Sequence, residues 1–347
     1  MWTSFTRENF PHLCNDYFWN RAALNALNSY FPRSPVKVFL FYDRKELVGI
    51  LPLCLNKSTF AKLPVWKYHF FEQGIGLSTL LLQPSRLTEY FKILWADVAK
   101  YLPEFQVLKL TTSGKQKEEL FPFFKMIQHN GYHVLFTNKK VLRLKIKSGK
   151  EFREHVFTGH HRREFRRIER RLRENFNCQI EQPKCDNLTG DFAVYWQRFI
   201  HLYQKSWKHS SARSLSNRAS ENTFFQTIFR HFAQIGRLYV SFLRLDGTDV
   251  ASDWRVLHQG VVYGLQTVFD EKYRRYAPGL YLLQTGLLNL TKEGNLEFDY
   301  LGNQQFKKYI SNTHHTYHDI YILTSSIYGR ILKHFSTFSK ARFRFLK

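Results

Sequence analysis

The chain has 347 residues, a formal net charge of +24, 44% apolar residues and 17% aromatics. That much apolar surface excludes intrinsic disorder, and the length fits two domains of ordinary size. The longest nearly unbroken apolar run, residues 47–55, falls far short of the roughly 20 residues a bilayer-spanning helix needs. The N-terminus shows no basic region followed by an apolar stretch, so a cytoplasmic protein is expected. Cys14, Cys54, Cys178 and Cys185 lack CxxC spacing and read as buried or inert thiols. The positive charge points to polyanionic partners: phosphates, nucleic acid or an anionic membrane face.

In chain order, residues 36–42 and 46–53 are apolar, β-branched runs around the polar Asp43-Arg44-Lys45, which predicts an antiparallel hairpin. Helical spacing over 87–102 precedes a strand at 105–110, a second helix is predicted at 116–130, and 132–136 with 141–146 read as a closing pair of strands. The most charged stretch follows. Residues 158–174 hold seven Arg against three Glu, with Phe165, Ile168, Leu172 and Phe176 as a narrow apolar stripe of an amphipathic helix. Rows of like charge at i, i+4 oppose such a helix, so its arginines either pair internally and face solvent or contact an anion.

Helices at 192–207 and 224–235 lead to three strands, 238–245, 250–257 and 261–269, joined at Asp246-Gly247 and at His258-Gln259-Gly260 into an antiparallel meander. A turn, a helix over 280–293 and a strand over 296–301 complete the series. The turn at 274–280 joins a strand to a helix, so its backbone N–H groups can hold a phosphate, although an ordinary Pro-Gly loop reads the same way. Asp299 falls near the carboxyl end of its strand, where open α/β sheets place ligands, with Lys307 in the following loop. The alternative is a structural Asp capping the Gly302 turn beside an exposed Lys307. Extended spacing puts His314 and His318 about 13 Å apart, too far to share an ion, and no metal is expected. The 330–347 tail carries six Lys/Arg, four Phe and no acid, which suits either packing on the body or an anionic membrane surface.

The combined order Arg166-Arg167 to Leu172, Ser206-Trp207-Lys208, Asp246-Gly247, Phe269-Asp270, Pro278-Gly279 and Asp299 to Lys307 resembles the CelD/BcsL-like branch of the GNAT acyltransferase superfamily. Ile50-Leu51-Pro52-Leu53 resembles the first half of that family. The resemblance implies an α/β (α+β) fold of two tandem GNAT-like domains, each a mixed, largely antiparallel sheet flanked by helices, as in Fem-type peptidyltransferases. The expected bounds are 1–148, a degenerate domain, 149–328, the catalytic one, and 329–347, the basic aromatic tail.

It further implies an acyl-CoA-dependent N-acyltransferase acting on an amine of a small molecule, amino sugar or envelope/polysaccharide precursor. Acyl-CoA, acetyl or longer, is then the co-substrate. Gln266, Val268, Arg274, Arg275, Tyr276, Ala277, Gly279 and Leu280 would hold it, with a splayed strand polarising the thioester carbonyl. Pro278 departs from the usual GNAT phosphate loop by removing one donor. Asp299 is expected to orient substrate or act as base, with Asp270 second, Lys307 facing the acceptor and Tyr309 as acid for the leaving thiolate. Asp253, Arg166, Arg170 and Trp207 are assigned to the substrate. The alternatives are a Fem-like transferase using aminoacyl-tRNA and a non-enzymatic basic adaptor at an anionic membrane or nucleic acid, and the expected location is cytoplasmic or peripheral at the inner face of the membrane.

Overall fold

The computed structural model describes residues 1–30, 34–71, 77–102, 105–152, 154, 158–183, 185–209, 215, 219–293, 296–338 and 344–345. The chain divides into two compact units, Met1–Lys140 with Thr316–Lys347, and Val141–His315.

Unit 1 begins with helices α1 (Trp2–Asn9) and α2 (Tyr17–Tyr30), which the sequence reading does not mark. Strands β1 (Val36–Asp43), β2 (Glu46–Phe60) and β3 (Leu63–His69) form an antiparallel meander. Its first turn is the one expected at Asp43-Arg44-Lys45, and the second uses Ala61 and Lys62, both at positive φ. A short β4 (Leu81–Leu82) pairs with β2; α3 (Leu87–Tyr101), β5 (Val107–Ser113), α4 (Gly114–His129) and β6 (His133–Ile146) follow. Ser113 starts α4 with a capping box: its hydroxyl accepts from the Gln116 backbone N–H at 3.3 Å and the Gln116 side chain accepts from Ser113 N–H at 3.1 Å. Helices α3 and α4 bury Phe91, Phe123 and Phe124 as an edge-to-face cluster against the sheet.

The chain then builds unit 2 from α5 (Gly149–Glu151), α6 (Gly159–Asn175), β7 (Cys178–Glu181), α7 (Cys185–Gly190), α8 (Phe192–Gln204), α9 (Ala219–Gln234), β8 (Leu238–Leu245), β9 (Thr248–His258), β10 (Val261–Phe269), α10 (Pro278–Leu290) and β11 (Leu296–Asp299). Its sheet runs β6-β11-β10-β9-β8-β7. The two expected hairpin turns are present, with positive φ at Asp246 and Gly247 and at Gln259 and Gly260, the backbone that twisted two-residue hairpins demand. One face of the sheet packs Trp254 among Trp196, Phe199 and Phe229 of α8 and α9. The other face is covered by α6 and α10, where the predicted stripe delivers Ile168 and Leu172 to the core and stacks Phe165 on Tyr281 at 5.4 Å. The α6 arginines pair in part along the helix, Arg167 with Glu164, Arg170 with Glu174 and Arg173 with Glu169. These are exposed pairs, each of little weight for stability.

The polypeptide returns to unit 1 through β12 (Thr313–Leu323), α11 (Ile327–Phe338) and β13 (Arg344–Phe345). Strand β12 pairs antiparallel with β5, giving the unit 1 order β1-β2-β3-β5-β12-β6. The expected pair of strands at 132–136 and 141–146 is a single strand, β6. Its polar Asn138-Lys139-Lys140 stretch resembles a turn in sequence, but Lys139 ion-pairs with buried Asp319 at 2.8 Å and Asn138 accepts from His318 at 2.7 Å, so the ladder continues. Of the basic tail, α11 buries Leu332; residues 339–343 and 346–347, and any contact made there, lie outside the described residues.

Both units repeat one order: a three-strand antiparallel meander, a crossover through a helix, and a parallel strand beside the meander's last strand, β3 with β5 and β10 with β11. In unit 2 this parallel pairing depends on Gly264, where a Cβ would come within 2.8 Å of the Phe298 ring. Gly264→Ala is therefore expected to lower unit 2 stability by about 1–3 kcal/mol through overpacking, read as a lower denaturation midpoint with unchanged slope.

Candidate active site

Strands β10 and β11 pair for three residues only, Val261 to Tyr263 against Glu297 to Asp299. Above Tyr263, β10 continues to Phe269 beside β9, with a register shift between Gly264 and Gln266 that leaves Leu265 bulged. On the other side β11 ends because Asp299 turns the chain. Its Oδ1 accepts from the Leu301 N–H at 2.7 Å, Leu301 takes φ +50°, and Oδ2 accepts from Arg143 Nε at 2.7 Å. Arg143 also reaches Glu297 at 2.9 Å. The two parallel strands thus diverge and open a wedge whose β10 wall presents backbone groups without a β11 partner.

Charged side chains gather at this wedge. Lys208, four residues past the end of α8, donates to Gln266 Oε1 at 3.0 Å. Lys307 donates to the Tyr300 carbonyl at 3.0 Å. Asp253 is buried; it accepts from Thr267 Oγ1 at 2.5 Å and ion-pairs with Arg255 Nε. Burial, reinforced by the Lys307 charge, pushes the Lys208 ammonium down to about 8, against the pull of Asp253. Burial likewise pushes Lys307 down to about 8, against Asp253 and Asp299. Burial holds the Tyr300 phenol well above its ordinary range, and its O–H donates to the Ile310 carbonyl at 2.5 Å. The wedge therefore offers two lysines lowered to about 8, beside the buried carboxylates of Asp253 and Asp299.

At the far end of β10, a 3₁₀ turn (Glu271–Tyr276) leads into α10. Asp270 caps it, accepting from the Lys272 N–H at 2.9 Å. Ala277 sits at φ +50° and Pro278 is the first helical residue of α10, where its missing N–H is not needed by the helix. Arg171 and Arg275 flank the Tyr276 ring at 5.7 and 4.7 Å, and Arg275 donates to the Tyr276 hydroxyl at 2.6 Å. Gly279 packs against Phe269 and Thr267, and a Cβ there would come within 3.0 Å of the Phe269 ring.

Of the residues singled out in the sequence, Asp253, Gln266, Asp299 and Lys307 come together at the wedge. Arg274, Arg275, Tyr276, Ala277, Gly279 and Leu280 form the turn, with Val268 buried in the strand that leads to it. Asp270 serves that turn as its cap. Arg166, Arg170 and Trp207 are exposed, and exposed Tyr309 packs on His161 at 5.5 Å. Lys208, Thr267, Arg255 and Tyr300 join the site without having been singled out for it. For Lys208 the available signal was the Ser206-Trp207-Lys208 tripeptide itself.

Residues 159–308 match the family described as an acetyltransferase (GNAT) domain. The match spans 150 residues, less than half of the chain. Its boundaries enclose the meander, the bulged β10, the turn, α10, β11 and Lys307. The chain is also similar to the crystal structure of FemX, at 11% identity and TM-score 0.59, over 95% of this chain and 97% of that one. A conserved protein of unknown function from Bacteroides thetaiotaomicron is similar at 12% identity and TM-score 0.55, over 93% and 95%. The C-terminal domain of a putative lysylphosphatidylglycerol synthetase from Agrobacterium fabrum is similar at 10% identity and TM-score 0.50, over 94% and 100%. At these identities the likeness is one of fold. No curated protein matches the chain. The fold class is the expected one, a mixed α/β sheet flanked by helices, and the segment matching the acetyltransferase (GNAT) model lies in the second half. Among the described residues no group of three His, Cys, Asp or Glu is placed to hold a metal, and no helix is long and apolar enough to cross a membrane.

Proposed function

We propose that the GNAT domain transfers an acyl group from acyl-CoA to the amine of a small molecule, amino sugar or envelope precursor, within the wedge between β10 and β11. The observation that carries this reading is the divergence of the two strands after three paired residues, beside Lys208, Lys307 and Asp253. The thioester carbonyl lies against the unpartnered β10 backbone past Gly264, where an N–H polarises it. The amine attacks, the C–N bond forms, and the C–S bond breaks. The neutral fraction of Lys307 Nζ takes the proton from the attacking nitrogen, a task suited to a group titrating near working pH. Exposed Tyr309 supplies the proton to the leaving thiolate.

Asp299 is the positioning residue in this scheme, since both its oxygens are engaged in setting the turn that precedes Lys307. Lys208 holds Gln266 at the wedge wall, and Asp253 supports the charge of both lysines. The CoA pyrophosphate rests on the N–H groups of Gly279 and Leu280 with Arg274 and Arg275 beside it. Within the superfamily we place the chain in the CelD/BcsL-like branch, on the motifs that run from Arg166 to Lys307. A cytoplasmic location fits a CoA-dependent reaction.

The second reading is an aminoacyl-tRNA-dependent transferase. Two observations favour it: Pro278 removes one donor from the phosphate turn, and α6 exposes Arg162, Arg163, Arg166 and Arg170 on its surface. Calorimetric titration separates the two. Acetyl-CoA should bind the full chain, and the Arg274→Ala/Arg275→Ala variant should bind about tenfold more weakly, the loss of a charge-assisted phosphate contact. No heat with acetyl-CoA at millimolar concentration, together with a salt-dependent tRNA gel shift, would establish the second reading instead.

A further inference from the structure

A second concavity lies on the α10 side of the unit 2 sheet, toward the C-terminal end of that helix. It encloses about 280 Å³ and is bordered by Gln182, Ser241, Arg255, Gly286 and Asn289. Gly286 and Asn289 follow the Gly279 turn by seven to ten residues, roughly 10–15 Å along the helix. The space is built around one guanidinium. A Cβ at Gly286 would collide with both terminal nitrogens of Arg255, so the glycine admits this 3% exposed arginine beneath α10.

The polar atoms at the cavity are mostly uncommitted donors. Arg255 gives Nε to Asp253 and Nη2 to the Leu283 carbonyl at 3.2 Å, while its Nη1 makes no hydrogen bond among the described residues. Asn289 uses its Oδ1 to accept from Lys292 at 3.2 Å, which leaves its amide hydrogens. Ser241 Oγ accepts from Gln182 Nε2 at 3.2 Å and keeps its own hydrogen. Among the described residues no acidic side chain lines the space, and Leu238, Leu290 and Pro183 give it apolar walls. Three donors, no carboxylate and an apolar wall select a ligand that accepts hydrogen bonds at one end and is greasy at the other.

The geometry points to a binding site for a small monocarboxylate with a compact apolar body. Its carboxylate accepts from Arg255 Nη1, Asn289 Nδ2 and Ser241 Oγ, and its body rests on Leu238 and Leu290. The cavity shares no lining residue with the α10 N-terminal turn and meets the wedge through Arg255, whose Nε holds Asp253.

The test uses the full-length chain with sodium benzoate as probe, followed by saturation-transfer NMR. Saturable binding is expected. It should weaken about tenfold in Asn289→Leu and in Ser241→Ala, each of which removes one donor to a charged acceptor, with unfolding midpoints close to the parent. Neutral benzamide should bind more weakly than benzoate. Absence of a saturable benzoate signal in the parent chain overturns the proposal, as does equal binding by two correctly folded variants, and benzamide matching benzoate overturns the carboxylate assignment.

Discussion

Replacing Asp299 by Ala is expected to cost unit 2 about 3–5 kcal/mol, enough to unfold a chain of ordinary stability. The carboxylate is fully buried and bonds in two directions, to Arg143 Nε and to the Leu301 N–H. Truncation takes from Arg143, itself 7% exposed, its fully buried carboxylate partner, and frees the turn that holds Leu301 at positive φ. Asp299→Asn keeps an acceptor for the Leu301 N–H but turns its NH2 toward Arg143 Nε, losing that bond and the charge, so it should still be the milder change. Denaturant unfolding of the two variants checks the order, and equal midpoints would show that the turn bond contributes nothing. Because the position supports the fold, its loss of activity must be read against a folded control.

Lys307→Met is expected to lower acyl transfer by about 10²–10⁴-fold while leaving the fold intact, the usual yield of a positioned general base. The parent enzyme should show a rate that rises with pH through about 8, the value to which burial lowers Lys307, and the variant should lose that limb. Lys307→Arg sharpens the test. It keeps the charge and removes the titration, so it should be as inactive as Lys307→Met. The neighbouring lysine reports independently: Lys208 should move up from about 8 in Lys307→Met, where a repelling charge is gone, and stay low in Lys307→Arg. Isotope-labelled lysine NMR reads that shift directly.

The same lysines bear on stability. A lysine ordinarily titrates at 10.5, and both are lowered in the folded chain, so between about 8 and 10.5 the unfolded state binds more protons. Stability should therefore rise with pH across that window, and Lys307→Met should flatten the rise.

Much of unit 2 was legible because its signals are local. Asp246-Gly247 and Gln259-Gly260 mark tight turns, and Phe165, Ile168 and Leu172 mark one helix face, so the meander and α6 follow from short windows of sequence. The wedge was legible only in part. A sequence shows Asp299 and Lys307 eight residues apart, but Arg143 lies 156 residues away from its carboxylate partner, and this distant bond is what makes Asp299 a turn-setting group. Lys208 becomes a site residue only when β10 brings Gln266 to it. In unit 1 the same distance hides β12, whose buried Asp319 interrupts an apolar pattern and is balanced by Lys109 and Lys139 from two other strands.

The late return of β12 has a consequence for biogenesis. The partner of β5 is not translated until about 200 residues later, as the Thr111 to Asp319 hydrogen bond shows with its separation of 208. All of unit 2 is contiguous and can fold as it leaves the ribosome. Strand β5 meanwhile waits with one flank unzipped, exposed to mispairing during synthesis. A ribosome pause or truncation before residue 313 would leave a nearly completed unit 2 tethered to an unfinished sheet, the kind of species that chaperones retain.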